Sequence, residues 1–225
     1  LSYLKNTLVM WGCNFVPQIL VSLLLAVWLT DEKVKVKGTG AMKVIVYLPS
    51  VITAASVSVL FKSLFSQYGP ITQTLKDWGV LGKNFDFMSS VAGSRGLIST
   101  ILWWMWFGNT TLLLISGVLG IDPGLFEAAD IDGASWLQKV RYIIIPGIKS
   151  VSTVVFLLLV IWTIKDYAIA YVLAKGGPSR ATEIMTIFIQ QTAFKSFDFG
   201  KAAAAGMLML LVSLVFTFFY FRAVN

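Results

Sequence analysis

Histidine is absent from the 225 residues and cysteine occurs once, at Cys13. Those two absences exclude imidazole acid/base chemistry, zinc clusters of the Cys/His kind and any disulfide within the chain. Charge is scarce as well. Asp, Glu, Lys and Arg make up 13% of the chain, against the quarter usual in soluble domains, while 57% is hydrophobic and the mean hydropathy is +0.79. A water-soluble globule of this size needs far more charge to cover its surface, so lipid is the solvent implied. The net charge of +7 comes from basic residues scattered between apolar stretches. They form no sustained patch for nucleic acid, and such an excess is ordinary in membrane proteins. The chain also lacks any Gly-x-x-x-x-Gly-Lys-Ser/Thr loop, and with it P-loop hydrolysis of ATP.

Uncharged intervals set the organisation. They cover 6–30, 44–61, 96–121, 150–164 and 202–221. A helix needs about 20 apolar residues to cross the hydrocarbon, and the fourth interval reaches that length only by continuing through Lys165 and Asp166. The expectation is an all-α membrane protein forming a single transmembrane domain over 1–225, with spans at 6–30, 44–65, 96–121, 150–174 and 202–222. A barrel strand would alternate in polarity, which 151–161 does not. The uncharged stretch 184–194 is too short for a span and is expected as an external interfacial helix. The first residue is Leu rather than Met, and no signal-type cleavage site follows the first span, so the chain is expected to begin inside a longer protein. Lys and Arg nearly balance between the two alternating sets of loops; the crowding of Lys33, Lys35, Lys37 and Lys43 favours the set with 31–43 and 122–149 as cytoplasmic.

The segment 122–146 carries the most local information. Asp122-Pro123 forms an N-cap followed by proline at the first helical position, Gly133 stops that helix, Ser135 and Gln138 form a capping box for the next, and Pro146 ends it. The result is a hairpin with an acidic first arm (Glu127, Asp130, Asp132) and a basic second arm (Lys139, Arg141). Read for its physics alone, it is as well a mere connector between two spans.

The spacing is more specific. Glu127-Ala128-Ala129, then Gly133, Ile143 and Ile145-Pro146, resembles the EAA loop of binding-protein-dependent ABC importer permeases. Asn6-Thr7-Leu8, Tyr47-Leu48-Pro49-Ser50, Lys175-Gly176-Gly177-Pro178, Thr192-Ala193-Phe194 and Phe197-Asp198-Phe199-Gly200 extend the resemblance to the carbohydrate branch, of the maltose and sn-glycerol-3-phosphate permease type. The resemblance implies a five-helix permease core, in a family that usually has one more N-terminal helix, with a cytoplasmic coupling-helix hairpin in a bacterial or archaeal inner membrane. It implies a transport subunit rather than an enzyme, binding no cofactor itself, with ATP and Mg used by a partner. The partners implied are a second, different permease subunit, two ATP-binding subunits, an external solute-binding protein, a sugar substrate and the lipid bilayer, with no nucleic acid. It assigns ATPase coupling to Glu127, Ala128, Ala129, Asp132 and Gly133.

Polar groups inside spans are costly and tend to face a cavity or another helix. Trp162, Thr163 and Asp166 share one broad face of the fourth span, and an aromatic ring beside a carboxylate and a hydroxyl suits a sugar. The resemblance places this stretch, together with Asn109, along the substrate pathway. Asp166 is equally able to pair within the bundle while Lys165 snorkels to the interface, and Asn14, Gln18, Asn109 and Thr110 to bond between helices. Trp103, Trp104, Trp106 and Phe107 are expected as packing and interfacial anchors, Pro17 and Pro49 as kinks, and Ala202 to Gly206 as a close-packing stripe. Two further classes stay open: an ion- or proton-coupled secondary transporter using Asp166, and a structural subunit that touches no substrate.

Overall fold

A computed structural model describes residues 2–31 and 38–224, without the side chains of 163–165 and 223–224. Lys33, Lys35 and Lys37, which weighed in the orientation argument, lie outside the described residues, as do the side chains of Thr163 and Lys165. Every regular element described is helical.

Among the described residues three helices are long and apolar enough to cross a membrane: α1 (Ser2–Thr30), α5 (Val91–Leu119) and α12 (Phe199–Val224). At 1.5 Å per residue the 29 residues of α1 reach about 43 Å. The helix continues through Pro17 without interruption. Its buried positions include Asn6, Met10, Asn14, Gln18, Ser22 and Ala26, a seam repeating every fourth residue. That seam lies on α5. Arg95 Nη2 donates to Asn6 Oδ1 at 2.5 Å, Ser99 Oγ to Met10 O at 3.5 Å, Gln18 Nε2 to Thr110 Oγ1 at 2.9 Å and Ser22 Oγ to Phe107 O at 2.9 Å. From Asn6 with Arg95 to Ser22 with Phe107 both helices advance in the same direction, so α1 and α5 are parallel.

The 44–65 stretch, expected as one span, is broken. After α2 (Thr39–Tyr47), Pro49 enters a 3-10 turn over Leu48–Val51, Ile52 and Thr53 are extended, and α3 (Ala54–Leu64) leaves at 88° to the first part. Thr53 caps α3 by accepting from Ser56 N at 3.3 Å. The break packs against α5 at Gly108, where a Cβ would lie 2.0 Å from Val46 O. Only a residue without a side chain permits that approach. Beyond α3 come α4 (Pro70–Asp77) and a loop to α5.

The expected fourth span is divided as well. It follows α6 (Pro123–Ile131), α7 (Trp136–Lys139), a π-helical turn at Val140–Ile144 and α8 (Ile145–Gly147); Pro146 therefore does not end the second arm but lies in its last turn. α9 (Lys149–Lys165) meets that arm at a 71° corner. It stops where Asp166 turns extended, and α10 (Ala168–Ala174) follows. α9 runs against α1 and α5: Val155 and Leu159 pack with Ala26 and Leu114, whereas Trp162 reaches Trp106. α11 (Met185–Phe194) forms within the stretch expected as an interfacial helix; Met185, Ile187, Thr192 and Ala193 are buried, and the helix packs on α1 and α12.

One described loop from each set shows the two ends of the bundle. The 122–146 hairpin sits beyond the C-terminal ends of α1 and α5, and the 175–184 loop sits by their N-terminal ends. Replacing Gly108 by Ala is expected to cost about 1–3 kcal/mol by forcing backbone against backbone. Gly96→Ala, in the same helix with nothing within 4 Å of the new Cβ, should be neutral or slightly stabilising. Thermal unfolding in detergent micelles would separate the two.

Candidate functional site: an exposed hairpin and a polar seam

The hairpin folds as its local chemistry dictates. Asp122 Oδ1 accepts from Gly124 N at 3.0 Å, Pro123 opens α6, and Gly133 adopts φ +72°, the left-handed geometry that ends the helix. Ser135 and Gln138 complete a reciprocal box, with Ser135 N donating to Gln138 Oε1 at 2.7 Å and Gln138 N to Ser135 Oγ at 3.4 Å. An ion pair of 2.6 Å between Lys139 Nζ and Asp130 Oδ1 clamps the two arms.

What the hairpin presents is unusual for a simple connector. Glu127, Ala128, Asp132 and Gly133 are exposed and Ala129 is half-buried. Around them Leu125, Leu137 and Tyr142 are more than half exposed, and Ile131 at the tip is 87% exposed. Large apolar side chains concentrated in one exposed segment mark an interaction surface. Between the hairpin and the ends of α1 and α5 lies a cavity of about 300 Å³ with Phe126, Glu127, Trp136 and Val27 among its walls.

Within the bundle, the structure brings together Trp162 and Asp166 but not Asn109. Trp162 is half-buried, with its ring centroid 4.9 Å from that of Trp106 at a 35° tilt. Asp166 lies in the break between α9 and α10, where its Oδ1 accepts from Ile169 N at 3.5 Å. Both line a small internal cavity with Trp106 and Gln18. Asn109 is half-buried on α5 beside Gly108 and is not a wall of that cavity. Trp106, expected as packing, belongs to the polar group; its place was not legible because the sequence does not reveal which tryptophan of a cluster faces inward.

A second polar cluster, at the other end, was not anticipated. Asn6 Nδ2 donates to Arg180 O at 2.9 Å and to Glu183 O at 3.3 Å, Arg95 Nε donates to Ala181 O at 2.9 Å, and Met185 N donates to Thr7 Oγ1 at 3.0 Å. Arg180 and Glu183 pair at 2.9 Å. The 175–184 loop is thereby tied to the starts of α1 and α5. The recurrence of Asn6-Thr7 in a motif was the available signal, but its partners are more than 80 residues away along the chain.

Over residues 9–224 the chain matches the family described as "Binding-protein-dependent transport system inner membrane component". The chain belongs to that family. This inner-membrane component is 26% identical over 223 residues to the lactose transport system permease protein LacF of Rhizobium radiobacter, covering 98% of the chain and 74% of that protein. It is 27% identical over 192 residues to a probable ABC transporter permease protein of Brucella suis biovar 1 (strain 1330), covering 82% of the chain and 64% of its relative. A chain in the crystal structure of a bacterial ABC transporter involved in import of the acidic polysaccharide alginate superposes with a TM-score of 0.81 at 22% identity, over 99% of this component and 78% of that chain. The likeness in structure establishes a shared helical fold. The component is thus a multi-pass, all-α inner-membrane permease.

Gly133 separates two kinds of constraint, since a side chain there would meet nothing within 4 Å but would have to adopt φ +72°. Gly133→Val is expected to destabilise the hairpin by about 1–2 kcal/mol through backbone strain alone. Hydrogen exchange should quicken over 128–139 and stay unchanged in α5.

Proposed function

We propose that this component is the permease subunit of an ATP-driven sugar importer, forming half of a translocation path and taking its energy from two ATP-binding subunits through the 122–146 hairpin. The observation that carries this reading is the exposed apolar tip, Ile131 with Leu125 and Leu137, set around Glu127 at the spacing of an EAA loop in a chain that has no P-loop of its own. Glu127 serves as a polar anchor for a basic group on the ATP-binding partner, Ala128 and Ala129 as a close-contact surface, and Asp132 with Gly133 as the turn between the arms. ATP and Mg are consumed on that partner, and this chain binds no cofactor. The hairpin end is cytoplasmic in this reading. The opposite end, with the anchored 175–184 loop, meets an external solute-binding protein, and a second permease subunit completes the path.

A sugar as substrate is supported by the paired rings of Trp106 and Trp162 next to Asp166, a platform for a CH face beside a hydrogen-bond acceptor. The names of LacF and of the alginate importer point the same way. Thr163 and Asn109 complete the pathway proposed. A gradient-driven carrier centred on Asp166 has no observation in its favour that the importer reading lacks.

The test is ATP hydrolysis by the complex that copurifies with the chain, reconstituted with candidate sugars and the external binding protein. Stimulation by a loaded binding protein is expected. Glu127→Lys and Gly133→Asp should lower that stimulation at least tenfold, since a buried charge pair is lost in the first and the turn is crowded at a contact surface in the second. Trp162→Ala and Asp166→Ala should depress sugar uptake more than they depress hydrolysis. Absence of any copurifying ATPase would overturn the reading.

A further inference from the structure

At the centre of the bundle a buried amide has one half of its hydrogen-bonding capacity unused. Gln18 is 0% exposed and donates from Nε2 to Thr110 Oγ1 at 2.9 Å. Thr110 in turn donates its hydroxyl to Trp106 O at 3.2 Å. Its one proton is then committed, so toward Gln18 the threonine oxygen acts as an acceptor. That fixes the orientation of the Gln18 amide, with nitrogen toward Thr110 and Oε1 turned away. Among the described residues Oε1 has no hydrogen-bond partner. Gln18 lines a cavity of about 10 Å³ whose walls include Trp106, Trp162 and Asp166. Such a volume admits one water-sized group. An aliphatic group there would leave a desolvated carbonyl unpaired, whereas a hydroxyl would satisfy it.

We propose that Gln18 is a specificity-determining residue: its Oε1 accepts a hydrogen bond from a single hydroxyl of the transported sugar, whose ring lies against the Trp106–Trp162 pair. The proposal rests on the sugar-import reading. It adds to the pathway a contact from α1, on the other side of the seam from Asp166. Thr110 is a positioning residue in this arrangement, because it is not a wall of the cavity and, held by its own bond to Trp106 O, sets which atom of the Gln18 amide faces it. A bound water would offer Oε1 the same proton, and the two sources differ in what they predict.

The experiment uses the complete complex in proteoliposomes with saturating binding protein. Its probe is the radiolabelled sugar that stimulates the wild type, drawn from a panel of neutral and acidic mono- and oligosaccharides, together with the mono-deoxy analogues of that sugar. In the wild type one analogue should be taken up about tenfold less well than the parent, the cost of one neutral hydrogen bond. Gln18→Met, which removes the acceptor at similar length, should abolish that discrimination and bring parent and analogue to the same low rate. Thr110→Val keeps Gln18 but frees its amide to turn, so discrimination should fall about two- to fivefold; this variant decides the matter if Gln18→Met fails to assemble. An equal loss for the parent and every analogue would show a structural water only and overturn the proposal, as would unchanged discrimination in both variants. If no sugar in the panel stimulates the wild type, the import of sugar falls and this proposal with it.

Discussion

Parallel packing of α1 on α5 registers everything else in the bundle. Two helices that run the same way through lipid must be joined by a chain that returns, and the described part of that return is the broken α2–α3 segment and the loop with α4. In hydrocarbon, backbone groups freed by such a break must be covered by protein rather than by water. Gly108 is the place where α5 yields room for that cover, and the alternating seam of Asn6, Met10, Asn14, Gln18, Ser22 and Ala26 holds α5 at the distance that makes the room useful. The same logic governs the second break, at Asp166, which lies close to the seam between Gln18 on one side and Thr7 on the other.

Burial in this molecule is accordingly distributed unlike that of a soluble domain. Polar side chains occupy the inner seam, whereas α12 exposes Leu208, Leu210, Leu211, Leu214 and Phe218. The apolar surface along the spans needs only lipid. At the hairpin, beyond the C-terminal ends of α1 and α5, Ile131 and Leu137 are exposed as well. The two candidate regions are thus of opposite character, one polar and enclosed, the other apolar and open.

Much of this was legible in the amino-acid sequence, for identifiable reasons. Lengths of uncharged chain reveal helices because the hydrocarbon sets a minimum length, and the hairpin was readable because Asp122, Gly133, Ser135 and Gln138 act on backbone groups within three residues of themselves. The breaks were not readable in the same way. Pro49 announced a disturbance, but the 88° turn is made at Ile52 and Thr53, between a 3-10 turn that packs on α5 and an α3 that packs on α10. The division at Asp166 and the inward packing of α11 have the same origin, long-range contact. So does the placing of Trp106 over Trp104 in the polar group. Whether Asn109 or Gln18 faces the internal cavity depends on the rotation of α5 against α1, which four-residue periodicity in a helix apolar on most sides leaves unspecified.

The 71° corner between α8 and α9 gives the hairpin its mechanical character. Had the second arm continued straight into the membrane, a push on the tip would act along the helix axis, in the direction in which a hydrogen-bonded rod is stiffest. Because it bends, the arm is a crank: force applied at Ile131 and Glu127 has leverage about the corner and becomes torque on α9. The far part of α9 carries Trp162, so under the proposed coupling a small rotation at the hairpin would reach the aromatic rings in the bundle as a lateral displacement.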